Sequence, residues 1–308
     1  MSPTRYSLHR IVSLSKIPAL LLFTTALVNA EPSFQRVQEK PATFRSPAIR
    51  EASGLAVSPT DPSFLWIIND SGSSNEIHLS NTDGTSRGSL SITGAKNKDW
   101  EDLASFRVDG KTYLLIADTG DNGARRGIYT FYIVQEPTLP AEGLSIAGEI
   151  PIAWQTSFSL PDGASADIEA VAVDALAGKI LILTKRLEPC VLFSIPLAPQ
   201  DQPPVAEKIA EVVIQAPVLP FVPYRSQPTG MDISPDNTTA AVLTYYGIFL
   251  FQRKTSETWP EAFSKRPHGL GPHALPQAEA VAFSRDGKTL YAVSEGFNSP
   301  IMRWQVAD

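Results

Sequence analysis

Five short apolar runs recur along the chain, each led by a polar–x–polar triplet. They are EASGLAVS from Glu51, DWEDLASF from Asp99, DIEAVAVD from Asp167, QPTGMDIS from Gln227 and QAEAVAFS from Gln277. The intervals between them are 48, 68, 60 and 50 residues. A turn follows each run (PTDPS, VDG, DALAG, SPDN, RDG), and then a more continuously apolar strand (FLWIIN, TYLLIAD, KILILT, AAVLTYY, TLYAVSE). A third strand completes the pattern (EIHLSN, GIYTFYIV, CVLFSIPL, GIFLFQR, PIMRWQV). Short apolar or alternating runs bounded by turn residues predict strands, and helical spacing is nearly absent.

In the first four units a weaker fourth strand can be drawn. The fifth unit stops after three, at Asp308, and SFQRVQEKPATF at residues 33–44 can supply the fourth. Self-similar units of about 40 to 50 residues with four short strands are the signature of a β-propeller. The expected fold is all-β: a single propeller over residues 31–308, with five four-stranded blades closed by an N-terminal strand. Closure by that strand removes an open sheet edge. A sixth blade hidden in the long second or third unit is the alternative count. A β-sandwich has similar strand content, but the fivefold recurrence argues against it.

Residues 1–30 stand apart from the repeats. Arg5, Arg10 and Lys16 precede the apolar run IPALLLFTTALV, and Val28 and Ala30 set small residues before Glu31. This is the pattern of a signal peptide cleaved after Ala30, so a periplasmic or secreted location is expected. The run is too short to span a bilayer comfortably, and no later stretch is long and apolar enough. The chain has 26 basic and 32 acidic residues; without the three basic residues of the leader, 23 face 32, a net charge of −9. That balance disfavours nucleic acid and anionic membrane as partners. The one cysteine, Cys190, lies in an apolar strand, so packing and not cross-linking must stabilise the fold. A monomer is expected.

In a propeller, the loop leading into each first strand and the loop joining strands two and three open on one face. That geometry gathers the chain's acids at one mouth. The leading loops bring Glu51 and Ser53, Asp99 and Glu101, Asp167 and Glu169, Gln227 and Thr229, and Gln277 and Glu279. The other loops bring Asn69 and Asp70, Asp118, Asp121 and Asn122, Lys185 and Arg186, Tyr245 and Tyr246, and Glu295. So many carboxylates must be protonated, paired with Arg125, Arg126, Lys185 or Arg186, or bound to a cation, because two like charges 4 Å apart cost about 4 kcal/mol at an effective dielectric near 20. Carboxylates mixed with amide and backbone oxygens suit Ca²⁺ or Mg²⁺, although DTGDNG lacks EF-hand spacing. The alternative is that these acids cap loops by accepting backbone N–H groups.

Asp83, Asp109, Asp236 and Asp286 precede Gly or Asn in tight turns and need no chemistry. His78 reads as a surface residue, His273 as one that could reach the mouth, and the histidines lack zinc spacing. No Gly-x-Ser-x-Gly elbow is present. Asn237-Thr-Thr fits a glycosylation acceptor or simply a hairpin turn.

The stretches EASGLAVSPTDPSFLWIINDSG, DWEDLA, IADTGDNGARRGIYTFYIVQEP, IEAVAVD…TKR and the final AVSEG resemble a family of exported bacterial propellers. More distantly they are similar to esterase-like, phytase-type propellers and to calcium-dependent, lactonase-type propellers. The resemblance runs from about Arg50 to Trp304 and implies Ca²⁺ and ester or phosphoester hydrolysis. The chain departs from those relatives in lacking a histidine pair for lactone chemistry and a dense basic array for a many-phosphate substrate.

The leading expectation is a metal-assisted hydrolase with Ca²⁺ held by Asp70, Glu101, Asp118 and Asp121. Glu169, Glu279 and Glu295 are the catalytic candidates, Glu169 foremost as the base that activates water. Lys185, Arg186, Arg126 and Tyr245 are the candidates to bind an anionic small molecule. The rival is a non-catalytic propeller that binds a ligand or protein of the cell envelope; a two-carboxylate glycosidase is a third option.

Overall fold

A computed structural model of the protein describes Met1 and residues 33–307. The expected leader and its cleavage point lie outside the described residues. Among the described residues the chain forms five sheets, each built on four antiparallel strands, arranged as a five-bladed β-propeller. The inner strands are Ala52–Val57, Trp100–Val108, Ile168–Asp174, Pro228–Ile233 and Ala278–Phe283. Each packs against the inner strands of the blades before and after it, closing a ring.

The last blade is completed from the other end of the chain. Phe34–Arg36 pairs antiparallel with Pro300–Val306, Phe34 opposite Val306. Ala42–Thr43 pairs with the start of the same strand. Phe34 then packs edge-on against Phe283, with ring centroids 6.1 Å apart.

The long second unit does not hold a sixth blade. Its extra chain crosses to the first blade, where Glu149–Pro151 adds in parallel to the outer strand Ser86–Thr93. The excess in the third unit is a proline-containing loop between Val212 and Pro228.

The unbroken apolar character of the second strands follows from burial on both faces. In Lys111–Asp118, Leu115 and Ala117 enter the core shared with blade 3, while Leu114 and Ile116 enter the core shared with blade 1. In Lys179–Thr184, Ile180 and Ile182 face blade 2, while Leu181 and Leu183 face blade 4. Five such cores, one per blade junction, hold the ring. A fully buried leucine or isoleucine stabilises the fold by about 1.5–3 kcal/mol.

Two-sided burial also corrects the expectation for His78. It is buried, because its strand Glu76–Asn81 is covered on both faces, and its Nε2 lies 3.1 Å from Asn69 Nδ2. Cys190 is buried, and burial pushes its thiol up to about 12. Asn237 sits in a left-handed turn, and its buried amide donates to Asp174 Oδ1 at 2.8 Å. The turn reading of Asn237-Thr-Thr therefore holds, and the side chain is not free to carry a glycan.

Candidate functional site

Each inner strand begins with the same defect. The register with the second strand slips between Ala52 and Gly54, Trp100 and Asp102, Ile168 and Ala170, Pro228 and Gly230, and Ala278 and Ala280. A bulge of this kind leaves one residue unpaired and re-aims its side chain. The bulged residues are Ser53, Glu101, Glu169, Thr229 and Glu279, all buried. The loops meet beside them as the repeat implies: Asp70 N donates to Glu51 O, Thr119 N to Asp99 O, Lys185 N to Asp167 O and Glu295 N to Gln277 O, at 2.8–3.1 Å.

Two groups of carboxylates form at this mouth. Oxygens of Asp70, Asp99 and Glu101 lie within 4.8 Å of one another, as do those of Glu101, Asp167 and Glu169. Glu101 belongs to both. It is 6 % exposed, yet among the described residues it accepts no hydrogen bond and meets no cation. Burial first, and then Glu169, Asp70, Asp99 and Asp167, hold its carboxyl well above the usual range. Burial and Asp70 likewise push Asp99 up to about 6. Gly120 packs directly on this pair: a Cβ there would overlap the carboxylates of Glu101 and Asp99. A side chain at this position would have to displace those carboxylates.

The bases of the mouth are committed to its acids. Lys185 contacts Glu169 and donates to Tyr245 Oη at 2.8 Å, and Tyr245 donates to Glu279 Oε1 at 3.1 Å. Burial opposes the Lys185 charge, but Glu169 and Glu279 outweigh it and hold the ammonium form. Glu169 is raised by burial, and Lys185 opposes that rise. Arg186 Nε pairs with Asp167 Oδ2 at 2.7 Å, and its far nitrogen reaches Asn122. Burial pushes Glu279 up to about 8 against the pull of Lys185, and pushes Glu295 up to about 7 with help from Asp70 and Glu51.

Asp118 and Asp121 are not brought into either acidic group. Asp118 Oδ1 takes Arg126 Nη1 at 2.9 Å and Asp99 N at 3.2 Å, while its buried Oδ2 has no hydrogen-bond partner among the described residues. Asp121 accepts the backbone N–H of Arg125 at 2.8 Å and of Arg126 at 2.7 Å, so it caps its own loop. Arg126 is spent on Asp118 and on the carbonyls of Gly120 and Asp118. His273 is a loop brace, with Nε2 2.8 Å from Thr244 O and Nδ1 accepting Leu275 N.

Two acids matter more in the structure than their sequence positions imply. Asp99 joins Asp70 and Glu101, and its place two residues before Glu101 marks it. Asp102 has a structural part. It is fully buried, and its Oδ2 accepts N–H from Val171 in blade 3 at 2.8 Å and from Met231 in blade 4 at 3.1 Å. The signal was available in the repeat. The residue after the bulge is Gly54, Ala170, Gly230 and Ala280 in the other blades, and a Cβ on Gly54 would come within 2.7 Å of Leu103 N. One acid in a column of small residues fastens three blades together.

No protein-family model matches the chain, and no curated protein does. Solved structures similar to it include the hydrazine synthase of Kuenenia stuttgartiensis, at 15 % identity over 83 % of this chain and 72 % of that chain, with a TM-score of 0.42. Another is the nidogen/laminin complex, at 12 % identity over 80 % of this chain and 73 % of that chain, with a TM-score of 0.43. The five-bladed assignment rests on the strand pairing described above.

Proposed function

We propose that the protein is an exported, divalent-cation-binding propeller whose mouth holds Ca²⁺ through Asp70, Asp99 and Glu101, with Asp167 and Glu169 alongside. The observation that supports this most is Glu101, a buried carboxylate common to both acidic groups and without a hydrogen-bond donor. An uncompensated buried charge is costly, and a cation compensates it. An oxygen-only donor set suits a hard cation, and export through the leader would place the mouth where calcium is plentiful.

A bound Ca²⁺ supplies a positive centre that attracts an anionic group and polarises an ester or phosphoester oxygen. Glu295 and Glu279, poised near 7 and 8, are the groups suited to take up or release a proton beside it. We therefore read the mouth as a calcium-dependent hydrolase site for a small anionic ester or phosphoester. Binding without turnover is the second reading. It is favoured by the engagement of Lys185 and Arg186 with Glu169 and Asp167, which keeps them from orienting a substrate themselves.

Calorimetry and thermal melting in calcium test the first step. At about 100 times the dissociation constant, calcium should add about 2.7 kcal/mol of stability. Glu101→Gln should weaken binding at least about tenfold and stabilise the metal-free protein by about 2 kcal/mol at neutral pH, because it removes an acid whose ionisation the fold opposes. Asp109→Asn, at a turn on the opposite face, should change neither. Absence of calcium heat in the wild type would refute the proposal. Calcium-dependent release of p-nitrophenol from its phosphate or acetate ester separates hydrolysis from simple binding.

A further inference from the structure

The opposite end of the ring holds a second cavity, formed where the five inner strands finish. Its volume is about 320 Å³, at the lower end of the range for small-molecule pockets. Val57, Phe106, Val173 and Phe283 give it an apolar wall. Two arginines complete it. Arg107 from blade 2 and Arg285 from blade 5 converge on the turn of blade 1 between them, donating to Pro59 O at 3.2 Å and to Thr60 O at 3.3 Å.

Those are the only hydrogen bonds of the two side chains among the described residues, and neither guanidinium has an ion-pair partner there. A guanidinium offers five N–H donors, so most are unused. The contrast with the acidic mouth is sharp. There Arg126, Lys185 and Arg186 are each bound to a carboxylate, whereas here two arginines lack an ion-pair partner in a chain of net charge −6.

We infer that this cavity is a binding site for a small amphipathic anion, its carboxylate or similar oxyanion gripped by Arg107 and Arg285 and its apolar body lodged against Phe106 and Phe283. Paired guanidiniums recognise planar oxyanions through parallel charge-assisted hydrogen bonds. The one acid lining the cavity, Asp232, does not cancel their charge. Its oxygens already accept N–H from Ile233 and Phe283 at 2.8 Å, and burial pushes it up to about 7.

The test titrates 2-naphthoate and its neutral isostere 2-naphthamide into the full folded protein by calorimetry. Naphthoate should bind about tenfold or more tightly than naphthamide. Arg107→Gln combined with Arg285→Gln should bring naphthoate down to the naphthamide affinity and leave naphthamide unchanged. Both arginines are exposed, so the variant should fold, and an unchanged melting curve verifies that. Glu101→Gln at the other mouth should leave naphthoate affinity intact, which keeps this site distinct from the calcium site. Equal affinity for acid and amide overturns the inference. So does no naphthoate heat at about 1 mM, or wild-type binding by the arginine variant.

Discussion

Asp102 and Asp232 stand in columns that the other blades fill with glycine or alanine, and both spend their carboxylates on the backbone of neighbouring blades. Burial holds Asp102 well above the usual carboxylate range, while the N–H groups of Val171, Leu103 and Met231 pull the other way. Asp102→Ala installs the residue that blades 3 and 5 already carry at this level. It removes no volume the ring needs, yet it strands the N–H groups of Val171 and Met231 away from water. The expected cost is about 3 kcal/mol, read as a lower urea midpoint with an unchanged slope. At this scale the sequence was legible wherever the repeat could be aligned. Glu101, Glu169 and Glu279 share a column, and the bulge delivers all three to the mouth. Asp118 closes the strand Lys111–Asp118, and Asp121 lies in the loop beyond it, outside the aligned columns. The sequence does not reveal that the N–H groups of Arg125 and Arg126 fold back on Asp121, because that contact depends on the loop's path.

Strands were the most legible feature of the chain, because two-sided burial makes each second strand a continuous apolar run. The outer strands were the least legible. Glu207–Val212 is only partly buried, and His268–Leu270 is three residues long, so neither carries a full alternating pattern. The closing strand was read from a deficit, the missing fourth strand of the last unit, and not from its own sequence. Its worth can be measured. Deleting residues 33–45 removes Phe34 from one blade junction and Phe44 from another. A buried phenylalanine lost to truncation costs about 3 kcal/mol or more, so the melting temperature should fall on the order of 10 °C. A melting curve identical to that of the intact chain would mean that the strand adds nothing to the ring.

The molecule as a whole crowds buried carboxylates at one mouth of the ring, where Glu101 links two groups of them. This sets its response to pH. Asp99, Asp232, Glu295 and Glu279 are raised to about 6, 7, 7 and 8, and Glu101 and Glu169 are raised as well. Each holds its proton more tightly when folded than when unfolded, where carboxyls titrate near 4. The stability they contribute is complete below about pH 4 and is lost as pH rises through 6 to 8. Asp61, Asp83, Asp236 and Asp286 are lowered, chiefly by hydrogen bonds from neighbouring serine, threonine and backbone groups, although for Asp236 these act against burial. Their contribution is lost as pH falls below about 4. Metal-free protein should therefore melt highest near pH 5 and lower at pH 8.5. Saturating calcium should narrow that gap, because it binds the ionised carboxylates. A metal-free protein that melts higher at pH 8.5 than at pH 5 would contradict this account.

The pairing of Phe34–Arg36 with Pro300–Val306 also has a consequence in time. A ribosome adding roughly 5–20 residues each second takes on the order of 15–50 s to travel between these two strands. Phe34–Arg36 waits through that whole interval for its partner. Until Pro300–Val306 emerges the ring stays open, with raw strand edges on either side of the gap. The nascent chain is thus exposed to wrong partners for as long as it is being made, and a chaperone that shields residues 33–45 would act on the segment whose wait is longest.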